Sequence, residues 1–176
     1  IPDYRFPESA ARVLAELTKF SWWVKRPSTR VKKYRVKKET ARKILEKVQA
    51  SGRNFLLEPE AYHIFEAYGF PVVKFRLATS EEEAVRQADE IGYPVVLKIV
   101  SPDVIHKFDV GGVRLNLTSA DEVRQAYQEI LQNIHHHVPQ ARITGIIVEE
   151  MVPSGQEVIL GMNRDEQFGP ILMFGL

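Results

Sequence analysis

The chain has 176 residues, 44% apolar and 27% charged, with a mean hydropathy of −0.22, an ordinary globular composition that argues against a disordered chain. It has no cysteine, which excludes a disulfide scaffold, a thiolate zinc site and a cysteine nucleophile and is compatible with a cytoplasmic protein. The net charge of +1 conceals an asymmetry: residues 1–53 hold 15 Lys+Arg against 5 Asp+Glu, and residues 54–176 hold 9 against 18.

The first predicted element is a helix opening at Pro7 or Ser9. Ala10, Val13, Leu14, Leu17 and Phe20 recur at helical spacing, and Trp22-Trp23 and Pro27 close it. Residues 28–38 have no apolar period and read as a basic linker. Tyr34 is the only aromatic in the basic stretch, so there is no platform for stacking bases. A solvated linker is expected and a nucleic-acid partner is not; the weak alternative is a nucleic-acid binder through residues 25–38. A second helix spans Thr40–Ala50, with Gly52 as its stop.

A third helix runs from Pro59 to Tyr68, then a strand from Val72 to Leu77. Ser80 caps a helix to Ile91, with Glu81, Glu82 and Glu83 in the first turn, where the helix dipole favours acids. Strands follow at Pro94–Val100 and Val113–Leu117, joined by a loop over 101–112. Ser119 caps a helix over Ala120–His136, and strands close the chain at Ile143–Met151, Glu157–Met162 and Ile171–Phe174. His135, His136 and His137 are consecutive and cannot face one ligand sphere, so they read as a helix end and no metal site is expected. No apolar run reaches the ~18 residues of a membrane span, and no signal peptide is visible, so no membrane association is expected. The pattern is α+β, a mainly antiparallel sheet with helices on one face, preceded by a helical tail. The chain opens at Ile1 and stops within the apolar run Phe174-Gly175-Leu176, so a segment of a longer protein is expected.

The chemistry concentrates between Tyr93 and Leu117. Lys98 sits inside an apolar strand, which is costly unless an anion meets it. The loop that follows carries Ser101, Asp103, His106, Lys107 and Asp109, then the paired glycines Gly111 and Gly112, then an alternation of Val113, Leu115 and Leu117. Adjacent glycines let backbone approach a ligand and leave N–H groups free to point at it. A lysine and a glycine loop between two strands make a phosphate cradle. It is distinct from the P-loop, whose G-x-x-x-x-G-K-[ST] precedes a helix.

Lys98 through Asp103, His106-Lys107 and Asp109 to Val113 resemble the ATP-grasp domain of the ADP-forming acyl-CoA synthetases, which are similar to the β subunit of succinyl-CoA synthetase. The resemblance runs from about Phe55 to Leu176 and includes Glu60, Tyr68-Gly69 ahead of Pro71, Gly92-Tyr93-Pro94, Glu149 to Gly155, and Phe168-Gly169-Pro170 to Gly175. Phe108 departs from it, standing where a small serine is usual.

The resemblance implies the first lobe of an ATP-grasp fold over residues 39–176, with 1–27 as the last helix of a preceding CoA-ligase portion and 28–38 as the linker. It implies ATP and ADP as ligands, with Lys98 on the α/β-phosphates and Gly111, Gly112 and Val113 in a flap that closes over the triphosphate. Glu149, Glu150, Met151 and Val152 would meet the adenine edge and Glu157 the ribose hydroxyls. His106, beside the phosphate loop, is the candidate catalytic residue for a phosphoryl relay. Mg²⁺ is implied with ligands outside this chain, as are a CoA-ligase portion or subunit as partner and an oligomeric intact enzyme. The implied reaction interconverts acyl-CoA, ADP and phosphate with carboxylate, CoA and ATP. The alternative is a regulatory acyl-CoA-synthetase-like domain of a protein acetyltransferase; a carboxylate–amine ligase fits less well, because its flap is usually richer in glycine.

Overall fold

The computed structural model describes residues 3–27 and 32–176. Residues 28–31 of the expected linker lie outside the described residues. The chain divides into two compact units, Ile1–Arg35 and Val36–Leu176.

The first unit is the helix α1, Pro7–Val24. Pro7 stands at its start, where the missing N–H costs nothing. None of its residues is buried; Leu14, Leu17, Phe20, Trp22 and Trp23 are exposed, and Phe20 stacks on Trp23 with ring centroids 6.0 Å apart.

The second unit opens with α2 (Lys38–Ala50) and α3 (Glu58–Ala67), which pack on each other. Arg53 forks onto Glu60 at 2.7 and 2.8 Å, and Glu60 also accepts from the Leu57 N–H at 2.8 Å, fixing the entry to α3. Then come β1 (Phe75–Ala78), α4 (Glu81–Ile91), β2 (Val95–Val100), β3 (Val113–Leu117), α5 (Ala120–His137) and β4 (Gly145–Glu150). Both predicted caps form: Ser80 Oγ accepts from Glu83 N at 3.2 Å and Ser119 Oγ from Glu122 N at 3.3 Å. The four strands make one sheet in the order β1-β4-β2-β3, every neighbouring pair antiparallel. The last strands, β5 (Ile159–Asp165) and β6 (Gly169–Gly175), pair only with each other as a hairpin.

The expected antiparallel sheet with helices on one face is present, and α3 is an addition on the other. Helices α4 and α5 bury Ala84, Ala88, Val123, Ile130 and Ile134 against Val95, Leu97, Ile99, Ile146 and Val148. Period-two alternation sends Val96, Lys98, Val100, Ile147 and Glu149 to the opposite face. There Tyr62 of α3 meets Phe75 edge-on at 5.0 Å beside Ile147 and Val100. One expectation fails at β3. Val113, Leu115 and Leu117 were to share a face, yet the register slips between Val95/Leu117 and Leu97/Arg114, and Asn116 takes φ 57°. The bulge puts Leu117 into the core under α5 while Val113 stays opposite Lys98. Among the described residues no helix is long and apolar enough to cross a membrane.

Candidate functional site

Strand β2 carries Lys98 onto the face away from α4 and α5, where it meets two carboxylates. Glu149, its diagonal neighbour on β4, places Oε2 2.6 Å from Nζ. Glu58, in the first turn of α3, places Oε1 at 2.9 Å. The other oxygen of Glu58 accepts from Lys107 Nζ, which arrives from the loop after β2. Tyr62, one turn along α3, donates its hydroxyl to Glu58 Oε1 at 2.9 Å. Two ammoniums thus alternate with two carboxylates in the order Glu149, Lys98, Glu58, Lys107. Glu149 is 3% exposed, and its Oε1 has no hydrogen-bond partner among the described residues. A buried oxygen left over in this way is the kind of acceptor a ligand donor satisfies.

The ionisation of the cluster follows from burial opposed by pairing. Burial pushes the Glu58 carboxyl up, but hydrogen bonds from Lys107 and Lys98 outweigh it and hold the group down at about 2. Burial likewise lowers Lys98, and Glu149 and Glu58 more than reverse this, so the ammonium is held above its ordinary range. The Tyr62 phenol is raised, first by burial and then by the charges of Glu149 and Glu58, and stays a donor.

The loop over 101–112 is tied at both ends. Asp103 accepts from the Arg142 backbone at 2.8 Å and from its guanidinium at 2.9 and 3.0 Å. At the far end Ile99 N donates to Gly112 O at 2.8 Å and Gly112 N to Lys107 O at 2.7 Å. An open pocket of about 390 Å³ lies between, lined by Glu58, Lys98, His106, Lys107, Phe108 and Val113 with Ile105 and Asp109. His106 is exposed there, and Phe108, 71% exposed, forms part of the rim.

The expectation that the N–H groups of Gly111 and Gly112 are free for a ligand is not met in this structure. Gly111 N donates to Phe108 O at 3.1 Å and Gly112 N to Lys107 O. What requires glycine is crowding. Gly111 has φ 64°, and a Cβ on Gly112 would stand 2.6 Å from Ile99 Cγ2 and 3.0 Å from Lys107 O.

The segment expected to meet adenine is placed in part elsewhere. One oxygen of the Glu149 carboxylate, Oε2, is engaged by Lys98, which leaves Oε1 alone as an acceptor for a base. Glu150 N donates to Lys74 O at 2.9 Å and Met151 N to Pro94 O at 3.1 Å, so both donors serve the sheet. Val152 and Glu157 are exposed, and Glu157 precedes β5 where a strand start was expected. None of residues 150–157 lines the pocket of Lys98 and His106.

Sequence reasoning missed Glu58 and Tyr62 and gave Lys107 no role. The signal was present: a lysine inside an apolar strand demands an anion, and Glu58 opens a helix straight after Phe55-Leu56-Leu57. Among the described residues no group of three or more His, Asp or Glu stands where it could hold a metal ion.

Known proteins resemble this chain over most or all of its length. The chain is 43% identical over 176 residues to the 4-hydroxybutyrate–CoA ligase (ADP-forming) of Nitrosopumilus maritimus, covering all of this chain and 25% of that protein. It is 53% identical over 136 residues to the β subunit of acetate–CoA ligase (ADP-forming) I of Pyrococcus furiosus, covering 77% of this chain and 58% of the relative. Among solved structures, the dinucleotide-forming acetyl-coenzyme A synthetase 1 of Ca. Korarchaeum cryptofilum, in complex with coenzyme A, Ca-AMPCP and HgCl⁺, superposes with a TM-score of 0.75 at 56% identity, over 77% of this chain and 59% of that one. The chain therefore spans a quarter to about three fifths of the length of these proteins. Residues 47–176 match the ATP-grasp domain family. That match takes in the whole sheet, the Lys98 cluster and the loop over 101–112, and the chain belongs to the ATP-grasp domain family.

Proposed function

We propose that this chain is the nucleotide-binding first lobe of the ATP-grasp portion of an ADP-forming acyl-CoA synthetase. The observation that carries the reading is the convergence of Lys98 and Lys107, from a strand and from its loop, on one open pocket beside His106. Two ammoniums held by rigid elements neutralise a phosphate chain and the charge that moves along it during transfer. In this reading Lys98 binds the α/β-phosphates, and His106 accepts the phosphoryl group of an acyl phosphate and passes it to ADP. The carboxylate leaves in the first transfer and ATP in the second. Gly111, Gly112 and Val113 form the stem of the loop that covers the phosphates, and opening it for a ligand breaks the Gly112 N to Lys107 O bond. Glu149 to Val152 and Glu157 meet adenine and ribose, with the unpartnered Glu149 Oε1 as the acceptor.

The divalent ion would be Mg²⁺, held by residues outside this chain, and would supply positive charge to the phosphate chain. Residues 1–27 belong to a preceding CoA-ligase portion, 28–38 form a linker and 39–176 form the lobe. The partner is the CoA-ligase portion or subunit, in an oligomeric enzyme of the cytoplasm. The relatives named above are CoA ligases and a CoA synthetase, and the acetyltransferase-linked regulatory alternative draws no support from them.

Titration calorimetry of ADP and ATP against the full-length protein tests this, with and without Mg²⁺ and with Lys98→Met beside the wild type. Micromolar to submillimolar binding that is at least roughly tenfold weaker in the variant is expected from the loss of one phosphate-bound charge. No nucleotide binding by the wild-type protein overturns the reading.

A further inference from the structure

The four-membered cluster poses a problem for the function just proposed. Lys98 and Lys107 carry two positive charges, and Glu58 and Glu149 cancel them. A di- or triphosphate arriving at this pocket meets no net attraction while all four remain in place. One carboxylate must yield. Glu149 cannot readily do so, because it is fixed on a central strand and 3% exposed. Glu58 is differently placed. Its side chain is 21% exposed, it lines the pocket itself, and it stands in the first turn of a helix, where a rotamer change swings the carboxylate toward solvent. It does not leave by protonation, because the lysines keep it ionised far into acid.

The way Glu58 is held resembles the way a phosphate is held. One oxygen takes Lys98 and the Tyr62 hydroxyl, and the other takes Lys107. The bond to Lys107 is also the link between α3 and the crown of the loop, whose stem is fixed at Asp103 and Gly112.

We infer that Glu58 occupies, in the nucleotide-free protein, the seat between Lys98 and Lys107 that a nucleotide phosphate takes, and that it is displaced when the nucleotide binds. Glu58 is thus a positioning residue. It keeps the two ammoniums converged against their mutual repulsion and holds the loop to α3, at the cost of competing with the ligand. This inference rests on the nucleotide reading of the pocket.

The test is Glu58→Gln in the full-length protein, titrated with ADP and with inorganic tripolyphosphate at low and raised salt. Amide hydrogen exchange over residues 104–111 is followed in parallel. The glutamine keeps the shape and removes the competing charge, so both anions should bind on the order of tenfold tighter, with a steeper salt dependence. The loop should exchange faster without ligand. Glu58→Asp keeps the charge but shortens the reach, and should fall between the two in affinity; it also serves if the glutamine variant folds poorly. Weaker anion binding by Glu58→Gln, or a loop no more open than in the wild type, overturns the inference and leaves the nucleotide reading standing. Failure of both anions to bind either protein overturns both.

Discussion

Lys98→Met separates what the lysine does for the fold from what it does for a ligand. The methionine keeps the length and the apolar stem of the side chain and removes only the ammonium. Glu58 retains Lys107 and Tyr62, so its loss is partial. Glu149 loses the ammonium it is paired with, and its side chain is 4% exposed. Breaking a buried pair from one side costs about 3–5 kcal/mol. Lys98 is 22% exposed, so water reaches the gap and the expected loss lies near the lower bound, about 3 kcal/mol. Glu149→Gln alone leaves Lys98 on Glu58 and should cost about 1–2 kcal/mol. The double variant has no uncompensated charge, so it should recover about 2 kcal/mol of the summed single losses. Urea unfolding at pH 7, followed by far-ultraviolet circular dichroism, measures all three. A single-variant loss under about 1 kcal/mol, or strict additivity in the double variant, refutes the account of Lys98 as the counter-charge of the sheet.

Glu58 gives the pH dependence. Its folded value near 2 lies below the ordinary 4.5, so the stability it supplies is complete above the ordinary value and is lost as pH falls from there toward 2. Glu58→Gln should flatten the acid limb of stability between about pH 5 and pH 2, and an unchanged limb would remove Glu58 from the account. His106 is exposed on the pocket, so His106→Ala should leave the melting temperature within about 1 °C, while phosphoryl transfer falls at least a hundredfold with ADP affinity within about threefold. A variant with wild-type turnover would leave His106 as a solvated loop side chain with no part in the transfer. Gly112→Ala forces a Cβ against Ile99 and Lys107 O and should cost about 1–3 kcal/mol by thermal unfolding. A variant as stable as the wild type would mean that the loop stem yields.

Most of the fold was legible because the sequence is locally consistent. The serines at 80 and 119 stand before amphipathic helices and cap them, and the apolar runs of β2 and β4 are the two central strands. Strand ends were less legible. β1 begins at Phe75 and not at Val72, because the chain before it pairs only through isolated bonds such as Glu150 N to Lys74 O. Within the site, Lys98 announced itself by its cost, and its loop by the glycines. Glu58 did not, because an acid in the first turn of a helix already has a sufficient reason to be there. The commitments of the Gly111, Gly112, Glu150 and Met151 N–H groups are long-range or turn geometry that residue types do not encode.

The extra residue in β3 has a consequence for how this segment tolerates change. Val113 and Leu117 are four positions apart, an even step that would ordinarily keep both on one side, and the bulge at Asn116 breaks that parity. The strand therefore reads out to the pocket at one end and to the interior at the other. On an edge strand, insertions and deletions are commonly harmless. Here, losing one residue between Arg114 and Leu117 would remove the bulge and still bring Leu117 opposite Val95, whereas keeping the length without the bulge would turn Leu117 out to water and leave a void beneath α5. The backbone that Asn116 adopts is therefore a constraint as strict as the identity of the apolar residues around it.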